Sequence, residues 1–189
     1  SLETYFGEVV LKAPALPVVA IPTTCGTGSE VTRYAVIVSP VEKTKKTVAS
    51  DEILPRMAIV DPDLLETLPS SLIAATGLDA LCHAIEGFLS VRANELSTLL
   101  ARETVRRIVR WLPDAAGRRR PEALEQLFFA SMVAGFVINT TGTILVHGMG
   151  YALTVGRGLH HGTANGLLVG GVLSYLGEHE YRDEVAELS

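Results

Sequence analysis

The sequence predicts a mainly α-helical chain with a small α/β part at its N-terminus. Two observations carry that expectation. Up to residue 63 the apolar residues come in short runs bounded by proline and glycine, the pattern of strands and turns. Beyond it they recur at i, i+3 and i+4, the spacing of one helix face. The first part, residues 1–63, is too small for a complete α/β domain and opens in the middle of a sheet. The second, residues 64–189, reads as a succession of helices, the last breaking off soon after it begins. The chain therefore reads as an excerpt of a longer protein.

In the first part, Pro17–Ile21 is a short apolar run consistent with a buried strand. Tyr34–Val38 is another, and Lys46–Ala49 is placed to pair with it across a turn at 39–43. Met57–Val60 is a fourth, ended by Asp61 and Pro62. Helical patterning then covers 70–89. From Asn94 to Leu112 an amphipathic helix carries Leu96, Leu99, Leu100, Val105, Ile108 and Val109 on one side. Its basic residues, among them Arg102, Arg106, Arg107 and Arg110, read as a solvated face. Pro113 is expected to end this helix. Pro121 suits a first helical position, where its missing N–H costs nothing, and helix runs from there to about Asn139. Thr140–Thr143 breaks it. Further helices are expected over about 143–154 and from near His161.

Composition narrows the classes of function. The chain has 189 residues, 48% apolar, and a net charge of −5. That suffices for a core, and the acidic balance gives nucleic acid no purchase. Two cysteines, Cys25 and Cys82, make no disulfide framework and fit a reducing cytoplasm. Ser1–Lys12 lacks the basic start and apolar core of a signal peptide. The uncharged run Leu127–Ile138 is shorter than the about 20 residues a bilayer requires. It reads as a buried helix, covered by this chain or by a partner, and no membrane association is expected.

Three stretches carry chemistry. In Thr76–Gly87, T-G-L-D-A-L-C-H-A-I-E-G, Asp79 and His83 stand one turn apart and point the same way on a helix too apolar to be a surface helix. This is half of a metal site. Equally, Thr76 with Asp79 resembles a capping box, and His83 has the makings of a core histidine. The second stretch, Pro22–Thr32, is dense in glycine and hydroxyls. Its N–H groups and threonines suit a phosphate cradle, and a plain turn explains it as well; it is neither G-x-G-x-x-G nor a P-loop. The third is His147–Asn165. On one continuous helix His147 and His161 would lie about 21 Å apart. The glycines between them permit a helix–loop–helix turn that returns His161 to His147. Tyr151, one turn after His147, either lines that pocket or is an ordinary core aromatic. His160 competes with His161 as a ligand, and His179 sits in a charged, solvated run. One carboxylate with three imidazoles suits a first-row divalent ion such as Fe(II) or Zn(II).

These stretches resemble the iron-containing (group III) alcohol dehydrogenases. P-T-T-C-G-T-G-S-E-V-T, V-D-P-D-L-L-E-T-L-P, A-T-G-L-D-A-L-C-H-A-I-E-G, H-G-M-G-Y-A-L and H-G-T-A-N occur in that family's order and spacing, across about residues 14–170. The resemblance implies a dehydroquinate synthase-like architecture: the end of a Rossmann-like sheet over 1–63, then part of an all-helical metal-binding domain over 64–189. It implies NAD- or NADP-linked interconversion of a small alcohol and its aldehyde, with hydride passing between the nicotinamide and a substrate held at Fe(II) or Zn(II). Carried over by position, the metal ligands are Asp79, His83, His147 and His161. Thr23, Thr24, Gly26 and Thr27 contact the dinucleotide, and Lys45 reaches it from the neighbouring turn. Tyr151 stands where many members have a proton-relaying histidine, and His160 where most have proline. Met149, Phe136 and Tyr151 are candidates for an apolar pocket wall. The family's G-G-G-S loop is not in this sequence. Keeping all four ligand positions argues against the maleylacetate reductase branch. A zinc-dependent glycerol dehydrogenase-like enzyme and a non-catalytic helical remnant are the alternatives. The long apolar helices would accept a second copy, as in a homodimer.

Overall fold

The computed structural model describes residues 2–9, 15–39, 42, 44–179 and 181–188. Five strands precede six helices. β3 (Tyr34–Ser39) and β4 (Thr44–Ala49) form the expected antiparallel hairpin, with Tyr34 opposite Ala49 and Ser39 opposite Thr44. Positions 40, 41 and 43 of its turn lie outside the described residues. β1 (Gly7–Glu8) adds to β4 in parallel, and β2 (Val19–Ala20) pairs in parallel with β5 (Met57–Ala58). The first part thus holds two small sheets. The run expected to be a buried strand is exposed: Val18, Val19 and Ile21 face solvent, as does Met57 beside them. Among the described residues β5 also meets the short turn Ser29–Val31, which leaves these side chains exposed.

The helices are α1 (Ser70–Phe88), α2 (Glu95–Gly117), α3 (Pro121–Thr141), α4 (Leu145–Arg157), α5 (His161–Glu178) and α6 (Arg182–Glu187). α1 is the axis of the domain. It touches α2, α3, α4 and α5, and it buries nearly all of its length from Ile73 to Phe88. Two apolar clusters flank it. One joins Ile73 and Ala80 to Ile108, Leu127 and Phe128; the other joins Cys82, Ile85 and Phe88 to Val105, Val137, Val146 and Val172.

Several local expectations change in the folded chain. Thr76 and Asp79 form no capping box, because α1 begins two turns earlier, at Ser70. Thr76 Oγ1 instead donates back to Leu72 O at 2.7 Å. The capping box in this region belongs to α2, where Asn94 Oδ1 accepts from Ser97 N at 3.0 Å and Ser97 Oγ from Asn94 N at 2.9 Å. Pro113 does not end α2. It removes one hydrogen bond to the carbonyl of Val109, an exposed residue whose oxygen water can serve, and the fully buried Ala115 holds the last turn in the core. The helix ends instead at Gly117, and Arg119, two residues on, turns the chain with a φ of +53°. Its guanidinium donates to the carbonyls of Leu65, Glu66 and Leu68. On α2, Leu96, Leu99 and Val109 prove exposed, and the core contacts come from Ala101, Val105 and Ile108. Among the described residues α3 is the one helix long and apolar enough to cross a membrane by length and composition, and 56% of that window is buried inside the chain. Phe136, on α3, is exposed rather than packed in the core, and so is Met149 on α4.

Candidate metal centre

The site lies where α1, α4 and α5 meet beneath the glycine-rich loop after β2. α1 supplies Asp79, His83 and Glu86 at spacings of four and three, which puts them along one helix face; all three are buried. α4 supplies His147. The turn that returns the chain is made at Gly158, whose φ of +68° is open to glycine at little cost. α5 then begins at His161. The ring centroids of His147 and His161 end 5.3 Å apart. Close approach of α5 to α1 depends on Gly162: a Cβ there would collide with Ala75 O and come within 3.1 Å of Asp79 Cβ.

One ligand atom each from Asp79, His147 and His161 lies within 4.8 Å of the other two. Asp79 Oδ1 is 3.4 Å from His147 Nε2 and 3.8 Å from His161 Nε2. His83 lies outside this trio. Its ring stacks on His147 at 4.6 Å between centroids, held there by the bond between its Nδ1 and Gly26 O at 3.2 Å. His160 is exposed at the start of α5 and takes no part. His179 is exposed, its ring stacked on Tyr175.

The hydrogen bonds engage the same nitrogen, Nδ1, in all three imidazoles. A carbonyl only accepts, so His83 Nδ1 carries the proton shared with Gly26 O. Thr154 spends its own proton on Gly150 O at 2.9 Å, so at 3.3 Å it accepts from His161 Nδ1. His147 Nδ1 is bonded to Glu86 Oε2. Nε2 is then the other nitrogen of each ring; that of His161 meets Asn165 Nδ2 at 3.3 Å, and that of His147 is buried with no hydrogen-bond partner. A carboxylate with inward-facing imidazole nitrogens, each ring oriented by a second bond, is the donor set of a divalent-metal site.

The electrostatics agree. Burial opposes ionisation of Asp79, yet the surrounding histidines hold its carboxyl well below the usual range. Burial also opposes charge on His147, but the carboxylates of Asp79 and Glu86 outweigh it and raise the imidazole to about 9. His83 and His161 go the other way, to about 4, mainly through burial.

Glu86, Thr154 and Asn165 bond the clustered side chains, and sequence reasoning passed over them. Asn165 Nδ2 donates to Asp79 Oδ1 at 2.8 Å and lies 3.3 Å from His161 Nε2. Their signal was spacing: Glu86 three residues after His83 in an otherwise apolar helix, Asn165 four after His161. Tyr151 stands at the edge of the site, its ring 5.4 Å from that of His161, with Lys45 Nζ 4.9 Å from the ring centre on the other side. Burial first, then Asp79 and Glu86, raise the Tyr151 hydroxyl, so it stays protonated. Burial lowers Lys45, against the pull of Asp79. Lys45 belongs to β4, not to the turn. In the glycine-rich loop Thr23 and Thr27 are exposed and Thr24 half-buried. Gly26 is buried instead, pressed on α1 where a Cβ would meet Thr76 O at 2.5 Å. Its carbonyl also makes the His83 bond.

A carboxylate and two imidazoles gathered in this way on packed helices form a candidate metal site in a protein of mixed α/β and α architecture. Comparison with known proteins makes this specific. Residues 2–62 match the iron-containing alcohol dehydrogenases and residues 73–187 match the C-terminal part of the Fe-containing alcohol dehydrogenase family. The chain belongs to the iron-containing alcohol dehydrogenase family. It is 37% identical to a 1,3-propanediol dehydrogenase of Klebsiella pneumoniae over 99% of its own length and 49% of that protein. It is 38% identical to an NAD-dependent methanol dehydrogenase of Bacillus methanolicus over 87% of this chain and 43% of the other. A crystal structure of a 1,3-propanediol oxidoreductase superposes with a TM-score of 0.92 at 36% identity, covering the whole of this chain and 50% of that one. The sulfoacetaldehyde reductase of Bifidobacterium kashiwanohense, solved with NAD+, gives 0.84 at 34% identity over 93% and 47%. The chain spans about half the length of the curated relatives it matches.

Proposed function

We propose that the intact protein is a metal-dependent, NAD-linked alcohol dehydrogenase that interconverts a small alcohol and its aldehyde. The observation that carries this reading is the trio of Asp79, His147 and His161, the first two buried, with His147 Nε2 unpartnered. His83, with its Nδ1 committed to Gly26, is the fourth ligand. An Fe(II) or Zn(II) ion held there would act as a Lewis acid on an alcohol or carbonyl oxygen. Fe(II) is preferred because the family is iron-containing. NAD is preferred over NADP because of the NAD-dependent methanol dehydrogenase and the NAD+ complex among the relatives.

The chain's own residues supply the rest. Thr23 and Thr27 present hydroxyls on the open side of the loop and Thr24 supports them, for contact with the dinucleotide. Lys45, with its Nζ 4.9 Å from the Tyr151 ring centre, is the further residue for contact with the dinucleotide. Tyr151, protonated at neutral pH, offers an O–H donor to a substrate oxygen. The two cysteines are free and buried, which supports a reducing, cytoplasmic setting.

The test uses the full-length protein, loaded anaerobically with Fe(II) or with Zn(II) and desalted. About one equivalent of metal should be retained, with NAD reduction by methanol, ethanol or 1,3-propanediol. Asp79→Ala should lose both metal and turnover. Full turnover by metal-free protein would overturn the reading.

A further inference from the structure

α4 has no side-chain cap of its own. Its first N–H groups point instead at Glu86 on α1. Glu86 Oε1 accepts from Ile144 N at 2.9 Å and from Val146 N at 2.8 Å. The other oxygen, Oε2, bonds His147 Nδ1. The side chain is 1% exposed, and at the start of a helix its charge is favourably placed. One carboxylate therefore caps α4 and, three positions into that helix, fixes the ring of a site residue.

We propose that Glu86 is a positioning residue: its carboxylate holds the His147 proton on Nδ1 and thereby presents Nε2 to the metal. The proposal rests on the metal reading of the cluster. Oε1 is taken by two backbone N–H groups and Oε2 faces Nδ1, so the ring is turned with Nδ1 toward Glu86 and Nε2 toward Asp79 Oδ1, 3.4 Å away. The two α4 backbone bonds fix Oε1 and so hold Oε2 against the ring, and the ring cannot turn without losing its own bond to Oε2. Capping alone would need only Oε1.

Glu86→Gln separates the two roles. Its amide oxygen still accepts from Ile144 and Val146, while its NH₂ faces His147 Nδ1 and demands a lone pair there, moving the ring proton to Nε2. In the full-length protein, Zn(II) affinity measured by competition with a chromogenic chelator should fall about 10- to 100-fold. The denaturation midpoint of the metal-free variant should fall less than that of Glu86→Ala, because Glu86→Gln loses the charge but keeps the cap. Glu86→Ala should lose both. Zinc binding by Glu86→Gln as tight as wild type overturns the proposal and leaves the metal site standing. A wild type that binds no zinc overturns the metal reading and this proposal with it. Should Glu86→Gln not fold, ¹⁵N-histidine NMR of zinc-loaded wild type decides: a proton on His147 Nδ1 supports the proposal, and a proton on Nε2 refutes it.

Discussion

Gly162→Ala in the full-length protein is expected to be destabilising although it improves helix propensity. Replacing a glycine inside a helix by alanine ordinarily gains about 1 kcal/mol. At Gly162 the added methyl would occupy the place of Ala75 O and crowd Asp79 Cβ. The obstacle is a backbone carbonyl inside α1, which no rotamer change can move, so relief requires α5 to slide away from α1. Overpacking of that kind costs about 1–3 kcal/mol. Set against the propensity gain, the net loss is about 2 kcal/mol if the upper part of that range applies. Gly171, on the same helix with nothing within 4 Å of its would-be Cβ, is the control, and Gly171→Ala should gain up to about 1 kcal/mol. Urea denaturation of both variants with unchanged slope measures the difference, expected at about 3 kcal/mol. The slide also separates His161 from Asp79, so Gly162→Ala should hold Zn(II) more weakly. Equal stability of the two variants would refute the claim that backbone contact at Gly162 sets the α1–α5 spacing.

Two further outcomes follow from the same structure. The metal-free protein should be most stable near pH 6.5. His147, raised from 6.5 to about 9, contributes stability that is complete below 6.5 and lost as pH rises through 9. His83 and His161, lowered to about 4, contribute stability present above 6.5 and lost as pH falls toward 4, because the unfolded chain then takes up the protons. Denaturation midpoints between pH 4 and 9 read this directly, and a midpoint flat across that span would contradict it. Asn94→Ala should cost about 1 kcal/mol through loss of the α2 capping box, again from the denaturation midpoint, with metal content unchanged.

The parts of this molecule legible in the sequence are those where one local pattern decides the outcome. The β3–β4 hairpin, the entry of α3 at Pro121 and the turn between His147 and His161 all follow from residues within a few positions of each other. Pro113 misled because its local rule, a missing N–H, was outweighed by a tertiary fact: Ala115 is buried and Val109 O can reach water. The strand at Val18–Ile21 misled in the opposite sense. Apolar character announces a need for cover but not whether the same stretch of chain provides it.

The metal centre shows the limit most sharply. Asp79, His83, His147 and His161 could be named because their residue types carry the chemistry. What orients them could not be named, since those partners are chemically ordinary: a glycine carbonyl, a threonine hydroxyl already spent on Gly150, and a glutamate in a helix that reads as core. Gly26 illustrates the point. Its glycine character suggested an approach to phosphate, but the approach it permits is to α1, where its carbonyl takes the His83 proton. Loop and helix are thereby tied together through a ring of the site, so that the segment bearing Thr23 and Thr27 and the cluster around Asp79 cannot move independently. A substitution at Gly26 should disturb His83 as much as any ligand of the loop, because a Cβ would lift the loop from Thr76 before it met anything on the open side.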